Sequence, residues 1–103
     1  EVELEQIDKP KKEYKDAQEL FDVSLEHERE VTRRIYDIAS LALEEKDHGT
    51  HSWIQWFITE QQEEEANVKD IKDKLKLAGS TGQGLFMINT ELAARVFTPP
   101  AVP

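Results

Sequence analysis

The sequence predicts an all-α protein built around an antiparallel helical hairpin, on three observations. Neither Gly nor Pro occurs from Asp16 to Glu45, or from Thr50 to Ala78. Within each stretch, the residues of one face recur at alternating spacings of three and four, the period of an α-helix. Gly49 and Gly79 punctuate the ends of these stretches.

In chain order, residues 1–15 (EVELEQIDKPKKEYK) read as an extended entry segment, because Pro10 stops any helix and the lysines around it suit solvent. A helix is expected over 16–45. Its stripe is Phe21, Ser24, Glu28, Val31, Ile35, Ile38 and Ala42, widened on one side by Leu25, Thr32 and Ala39. A second helix is expected over 50–78, with the stripe Thr50, Ile54, Phe57, Gln61, Glu64, Val68, Ile71 and Leu75, widened by Ile58. Stripes this broad belong to a bundle rather than a two-stranded coiled coil. At a rise of ~1.5 Å per residue each helix is about 42 Å long. A short turn near Lys46–Gly49 makes them antiparallel. GSTGQG (79–84) reads as a turn, and residues 82–94 as one short helix. The tail from 95 to 103 ends in TPPAVP, which cannot be helical and reads as a disordered or docked extension.

The chain has 103 residues, enough for a single domain, here a partial one. It carries 13 Lys and Arg against 22 Asp and Glu, a formal charge of -9. That balance argues against nucleic acid as a partner, which needs a basic face to replace counterions. It also argues against an anionic membrane surface and favours cations. Cysteine is absent, which removes disulfides, thiolate metal sites and Cys nucleophiles. No apolar run approaches the ~20 residues of a membrane span, and no signal-peptide pattern is visible. The expected location is cytoplasmic.

Three polar residues stand where the stripes call for apolar ones: Glu28, Gln61 and Glu64. An ionised carboxylate on a buried seam needs a proton, a cation or a metal. With Lys46 as the middle of the hairpin, Glu28 lies 18 residues before it and Glu64 18 residues after it. Straight antiparallel helices set those two glutamates at about the same level, with Gln61 one turn away. No Lys or Arg sits on either seam. Two facing carboxylates raise each other's pKa unless a hard cation lies between them. The competing reading makes the run EQQEEE (60–65) a solvated acidic face, with Glu60 and Glu63 on its surface. His27 points about 100° away from Glu28 and reads as a surface residue. Glu45 and His48 form an E-x-x-H spacing at the turn, where an exposed pair is expected, and His51 reads as a rim residue. Trp56 is either packing or an aromatic wall beside a redox metal. Trp53 reads as packing.

The strings LEHEREVTRRIYDIASLALEEKDHGTHSWIQWFITEQQEEEANVKDIKDKLKLAG and GLFMINTELAAR resemble the bacterial and archaeal non-haem ferritins. The block WF-x-x-E-Q-x-E-E-E carries most of the likeness, with H-E upstream at a fitting distance. The resemblance implies a ferritin-like four-helix bundle. This chain would supply the crossover (1–15), the third and fourth helices and the short fifth helix. It implies iron as the bound metal, at a di-iron ferroxidase centre with a third, outlying iron site. Glu28 is similar to the third-helix glutamate of that centre. Glu64 is similar to the fourth-helix glutamate that holds the second iron and reaches the third. Gln61 is similar to the glutamine beside the oxygen-binding position, and Glu60 and Glu63 to ligands of the third iron. The catalytic set is therefore Glu28, Gln61 and Glu64, and the metal set Glu28, Glu60, Glu63 and Glu64.

Two departures qualify this. The family's first two helices, with their glutamate and their E-x-x-H motif, are missing from this sequence. The acids that line the threefold channel of animal ferritins are replaced by His51 and Ile54. The expected function is Fe(II) oxidation and ferric mineral storage in a homo-oligomeric cage, expected to have 24 subunits. A separate chain carrying the first two helices is the other expected partner. The rival readings are a compact two-helix ferroxidase of the encapsulated type, which needs a mid-helix E-x-x-H, and a non-catalytic helical interaction module. Leu25, Ile58 and Trp56 are expected to be left near water in an isolated hairpin.

Overall fold

A computed structural model describes residues 1–79 and 81–101. Three α-helices follow one another: α1 over Ala17–Glu44, α2 over His48–Ala78 and α3 over Gly82–Ala93. Residues 1–15 form no helix or strand and are exposed apart from Tyr14. They are tied to α1 by Lys11, whose Nζ meets Glu19 and stands 5.0 Å from the centre of the Tyr14 ring.

Local chemistry sets each boundary. The Asp16 side chain accepts the Glu19 amide and starts α1. At its far end the Asp47 amide donates to Ala42 O (2.8 Å) and the Lys46 amide to Leu43 O (3.1 Å). This is the crossed pair of bonds of a Schellman stop, and it places Lys46 in the left-handed region at φ 57. Asp47 then serves twice, because its carboxylate also accepts the Thr50 amide and caps α2. That cap starts α2 earlier than the glycine at 49 suggests. Gly49 lies inside the first turn, where helix strain is small. Gly79 closes α2 at φ 64. Of the turn expected over 79–84, Ser80 lies outside the described residues, and the following helix already begins at Gly82. Thr81 caps α3 through the Gly84 amide, and Gly82 and Gly84 belong to that helix. A Cβ at Gly84 would stand 2.7 Å from Ala78 Cβ, so glycine permits the close approach of α3 to the end of α2.

α1 and α2 pack along a narrow seam. Its centre on α1 is the line Leu25, Thr32, Ala39, with Ala42 beside it. On α2 it is Ile54, Gln61 and Leu75. Leu25 is 4% exposed, which corrects the expectation that it would be left near water. The line taken as the flank of the stripe is its buried centre, and Val31 and Ile38 are exposed instead. One neighbouring helix covers only about half of so broad a stripe. Ile58 and Trp56 are half-buried. At the open end of the hairpin, Ile71, Leu75 and Ile88 form a small core flanked by Phe21, Ala78 and Leu92. Lys72–Asp22 (2.9 Å) joins α2 to α1 there, and Lys74–Glu91 joins α2 to α3.

Candidate metal centre

Midway along the seam, α1 and α2 meet through hydrogen bonds rather than apolar contact. Gln61 is 6% exposed, and Glu28 is half-buried opposite it. Gln61 Nε2 donates to Glu28 Oε2 at 2.7 Å and to Glu28 O at 2.8 Å. One amide group therefore holds both the side chain and the backbone of Glu28. Glu28 O also lies 2.9 Å from Thr32 Oγ1, which reaches across to Glu65 Oε1 at 2.7 Å. Among the described residues, no buried side-chain polar atom is left without a partner.

Glu64 lies on another side of α2. At 100° per residue, Glu65 is turned about 40° from Gln61 toward α1, and Glu64 about 60° the other way. Glu64 is exposed, and Glu65 takes the seam position that the spacing assigns to Glu64. Glu60, Glu63 and Glu64 instead line an open cleft of about 460 Å³, with Arg95 and Phe97 of the tail on its other side. The structure thus brings Glu28 and Gln61 together, and separately Glu60, Glu63 and Glu64. Among the described residues, no group of three His, Cys, Asp or Glu is placed to hold a metal ion.

The remaining sequence candidates are peripheral. His27 is exposed beside Glu30 and Arg33 in a shallow groove. Glu45 and His48 are exposed at the turn. The His51 ring nitrogen Nε2 lies 3.3 Å from Gln55 Nε2 on its own helix. Trp56 is half-buried with its ring edge-on to Phe57 at 4.8 Å, and Trp53 tilts against the same ring at 4.5 Å.

Several acids outside the candidate set are charge-paired. Hydrogen bonds hold several surface carboxylates below their ordinary range. Glu19 takes its bonds from Lys11 and then the Lys15 amide, Asp22 from Lys72 and then Gln18, and Glu30 from Arg33 and then Arg34. Among the described residues, none of the carboxylates of Glu28, Glu60, Glu63 and Glu64 forms an ion pair. Carboxylate and amide oxygens without basic partners suit a hard cation. Spacing places Thr32 on the flank of the α1 stripe without a functional role, and leaves Glu65 within the acidic run 60–65. The signal was present: Thr32 sits seven residues from both Leu25 and Ala39, and Glu65 one turn from Gln61.

Residues 1–78 match the model of the ferritin-like domain, and the chain belongs to the ferritin family. It is 40% identical over 87 residues to a bacterial non-heme ferritin of Escherichia coli O6:H1, covering 84% of this chain and 53% of that one. It is 41% identical over 91 residues to a bacterial non-heme ferritin of Staphylococcus epidermidis, covering 88% and 55%. The fold is similar to that of a humanized archaeal ferritin, with a TM-score of 0.90 and 39% identity over 95% of this chain and 60% of that one. The chain spans about half the length of the curated relatives it matches. Among the described residues, no helix is long and apolar enough to cross a membrane.

Proposed function

We propose that this chain forms the C-terminal half of a ferritin subunit that oxidises Fe(II) and stores the ferric product in a cytoplasmic cage, with 24 subunits as the expected number. The observation that carries the reading is the pair Glu28–Gln61: a seam carboxylate with no basic partner, aimed by an amide that holds one of its two oxygens. Iron is the substrate, and it supplies the electron that passes to oxygen or peroxide. Glu28 and Glu64 bind it with anionic oxygens, which favour the ferric over the ferrous ion. Gln61 fixes the orientation of Glu28 and sits beside the position where oxidant would approach. Glu60 and Glu63, with Glu64, hold an outlying third ion. Support comes from the family membership and, among the described residues, from the absence of ion pairs at Glu28 on the seam and at Glu60, Glu63 and Glu64 on the outward side of α2.

The exposed apolar side chains Val31, Ile38, Leu41 and Trp53 give further support, since two more helices would cover them. A complete subunit is therefore the catalyst, with the first two helices contributed by another segment or chain. Alone, this chain would oxidise iron poorly. Anaerobic Fe(II) titration of the native assembly, followed by exposure to air, tests the reading. Saturable binding near neutral pH and fast growth of ferric absorbance are expected. The absence of saturable binding would favour a non-catalytic helical module.

A further inference from the structure

Two cross-helix hydrogen bonds occupy adjacent turns: Gln61 to Glu28 (2.7 Å) and Thr32 to Glu65 (2.7 Å). Both pairs are 33 residues apart, so the second follows from the first by adding four on each helix. In an antiparallel hairpin, adding four moves toward the turn on α1 and away from it on α2. The two bonds therefore cross like the diagonals of a square instead of stacking like rungs. Sliding α1 toward the turn shortens the Glu28–Gln61 diagonal and lengthens the Thr32–Glu65 one, and sliding it the other way reverses this. The hydrophobic driving force is itself non-directional, so these two bonds add a directional constraint on register to that of side-chain packing.

Resting on the iron-binding reading of Glu28 and Glu64, we infer that Thr32 and Glu65 form a register lock, with Glu65 a positioning residue rather than a ligand. Together with the Gln61 diagonal, the lock sets the height of Glu28 on α1 against Glu64 on α2. It also acts on Glu28 directly. Thr32 Oγ1 has one proton and two acceptors within reach, Glu28 O at 2.9 Å and Glu65 Oε1. Glu28 O already receives Gln61 Nε2. Glu65 draws the Thr32 proton across the seam and leaves Gln61 to hold the Glu28 backbone. Thr32 thereby becomes a tie between helices rather than a bond within α1.

The test uses Co(II) as an optical probe of the purified protein in its native assembly, with thermal unfolding measured in parallel. Thr32→Val removes the donor and preserves shape, Thr32→Ser restores the donor, and Glu65→Gln keeps an acceptor. Thr32→Val is expected to weaken Co(II) binding about tenfold, the scale found for partners that orient metal ligands, and to change the ligand-field spectrum of the bound ion. Thr32→Ser and Glu65→Gln are expected to bind Co(II) much as the parent does, well short of that roughly tenfold loss. If Thr32→Val lowers the melting temperature but leaves affinity and spectrum unchanged, the pair is only structural and the inference fails. If Glu65→Gln abolishes binding where Thr32→Val does not, Glu65 is a ligand and the inference also fails. If the parent protein binds no Co(II) or Fe(II), the failure belongs to the proposed function.

Discussion

Gln61 Nε2 reaches two atoms of Glu28, the carboxylate Oε2 and the backbone carbonyl. Among the described residues, this buried amide is the one cross-helix hydrogen-bond partner of the Glu28 carboxylate. Gln61→Leu removes both bonds and leaves that carboxylate half-buried and unpaired. We expect a loss of about 1–3 kcal/mol in stability, read from chemical denaturation of the native assembly. Gln61→Glu sets a second negative charge against the first. Its deficit should shrink as the pH falls and one of the two carboxylates takes a proton.

In the complete protein, Glu64→Ala should slow iron oxidation more than Glu60→Ala. Glu64 is turned about 60° from Gln61 on α2 and Glu60 about 100°, so Glu64 stands nearer the Glu28 side. Initial rates of ferric absorbance at matched iron loading check this. Equal rates would overturn the division of roles.

Lys46 adopts φ 57 to complete the stop of α1. A left-handed conformation costs an L residue roughly 1–2 kcal/mol, and glycine avoids that at some cost in the unfolded chain. Lys46→Gly should therefore stabilise the fold by about 0.5–1 kcal/mol. Gly84→Ala should act in the opposite direction. Its Cβ would stand 2.7 Å from Ala78 Cβ. Overpacking of about 1–3 kcal/mol outweighs the helix propensity gained, about 1 kcal/mol. Melting temperatures of the two variants should move apart.

Acid should destabilise the hairpin through its paired carboxylates. The Thr50 hydroxyl and then its amide hold Asp47 low, the Lys69 ammonium holds Asp73 low, and Glu19, Asp22 and Glu30 are held low by their own partners. A carboxyl depressed in the folded state contributes stability that is full above its ordinary value, here 3.8 for Asp and 4.5 for Glu. That contribution is lost as pH falls through the lower folded value. The midpoint of urea unfolding should be level near neutrality and fall below about pH 4. Added salt should reduce the share due to Lys and Arg partners.

The chain should not sediment as a folded 11.9 kDa monomer. Val31, Ile38, Leu41, Leu43 and Trp53 are each left about half exposed to water. Covering several such side chains is worth on the order of several kcal/mol. Sedimentation combined with denaturing mass analysis should find either a second polypeptide or paired hairpins. A well-folded monomer with nothing bound would overturn the expectation.

The sequence alone determined that there are three helices and set their ends to within about two residues. Asp16, Asp47 and Thr81 are caps whose chemistry is local, and the spacing of Phe21, Glu28 and Ala42 is a property of one helix at a time. It also marked Glu28 and Gln61, because a polar group on an apolar stripe is visible without a partner. Tertiary structure decided which part of each broad stripe became the seam. Leu25, Thr32 and Ala39 lie within about 40° of one another, and so do Val31 and Ile38. A helical period cannot choose between two such lines. The position of α2 chose, burying the first and leaving the second open. The same rotation turned Glu65 inward to Thr32 and Glu64 outward to Glu60 and Glu63. Adjacent residues in a run of like charges differ only in angle, and an angle acquires meaning only when a second helix fixes where the inside is.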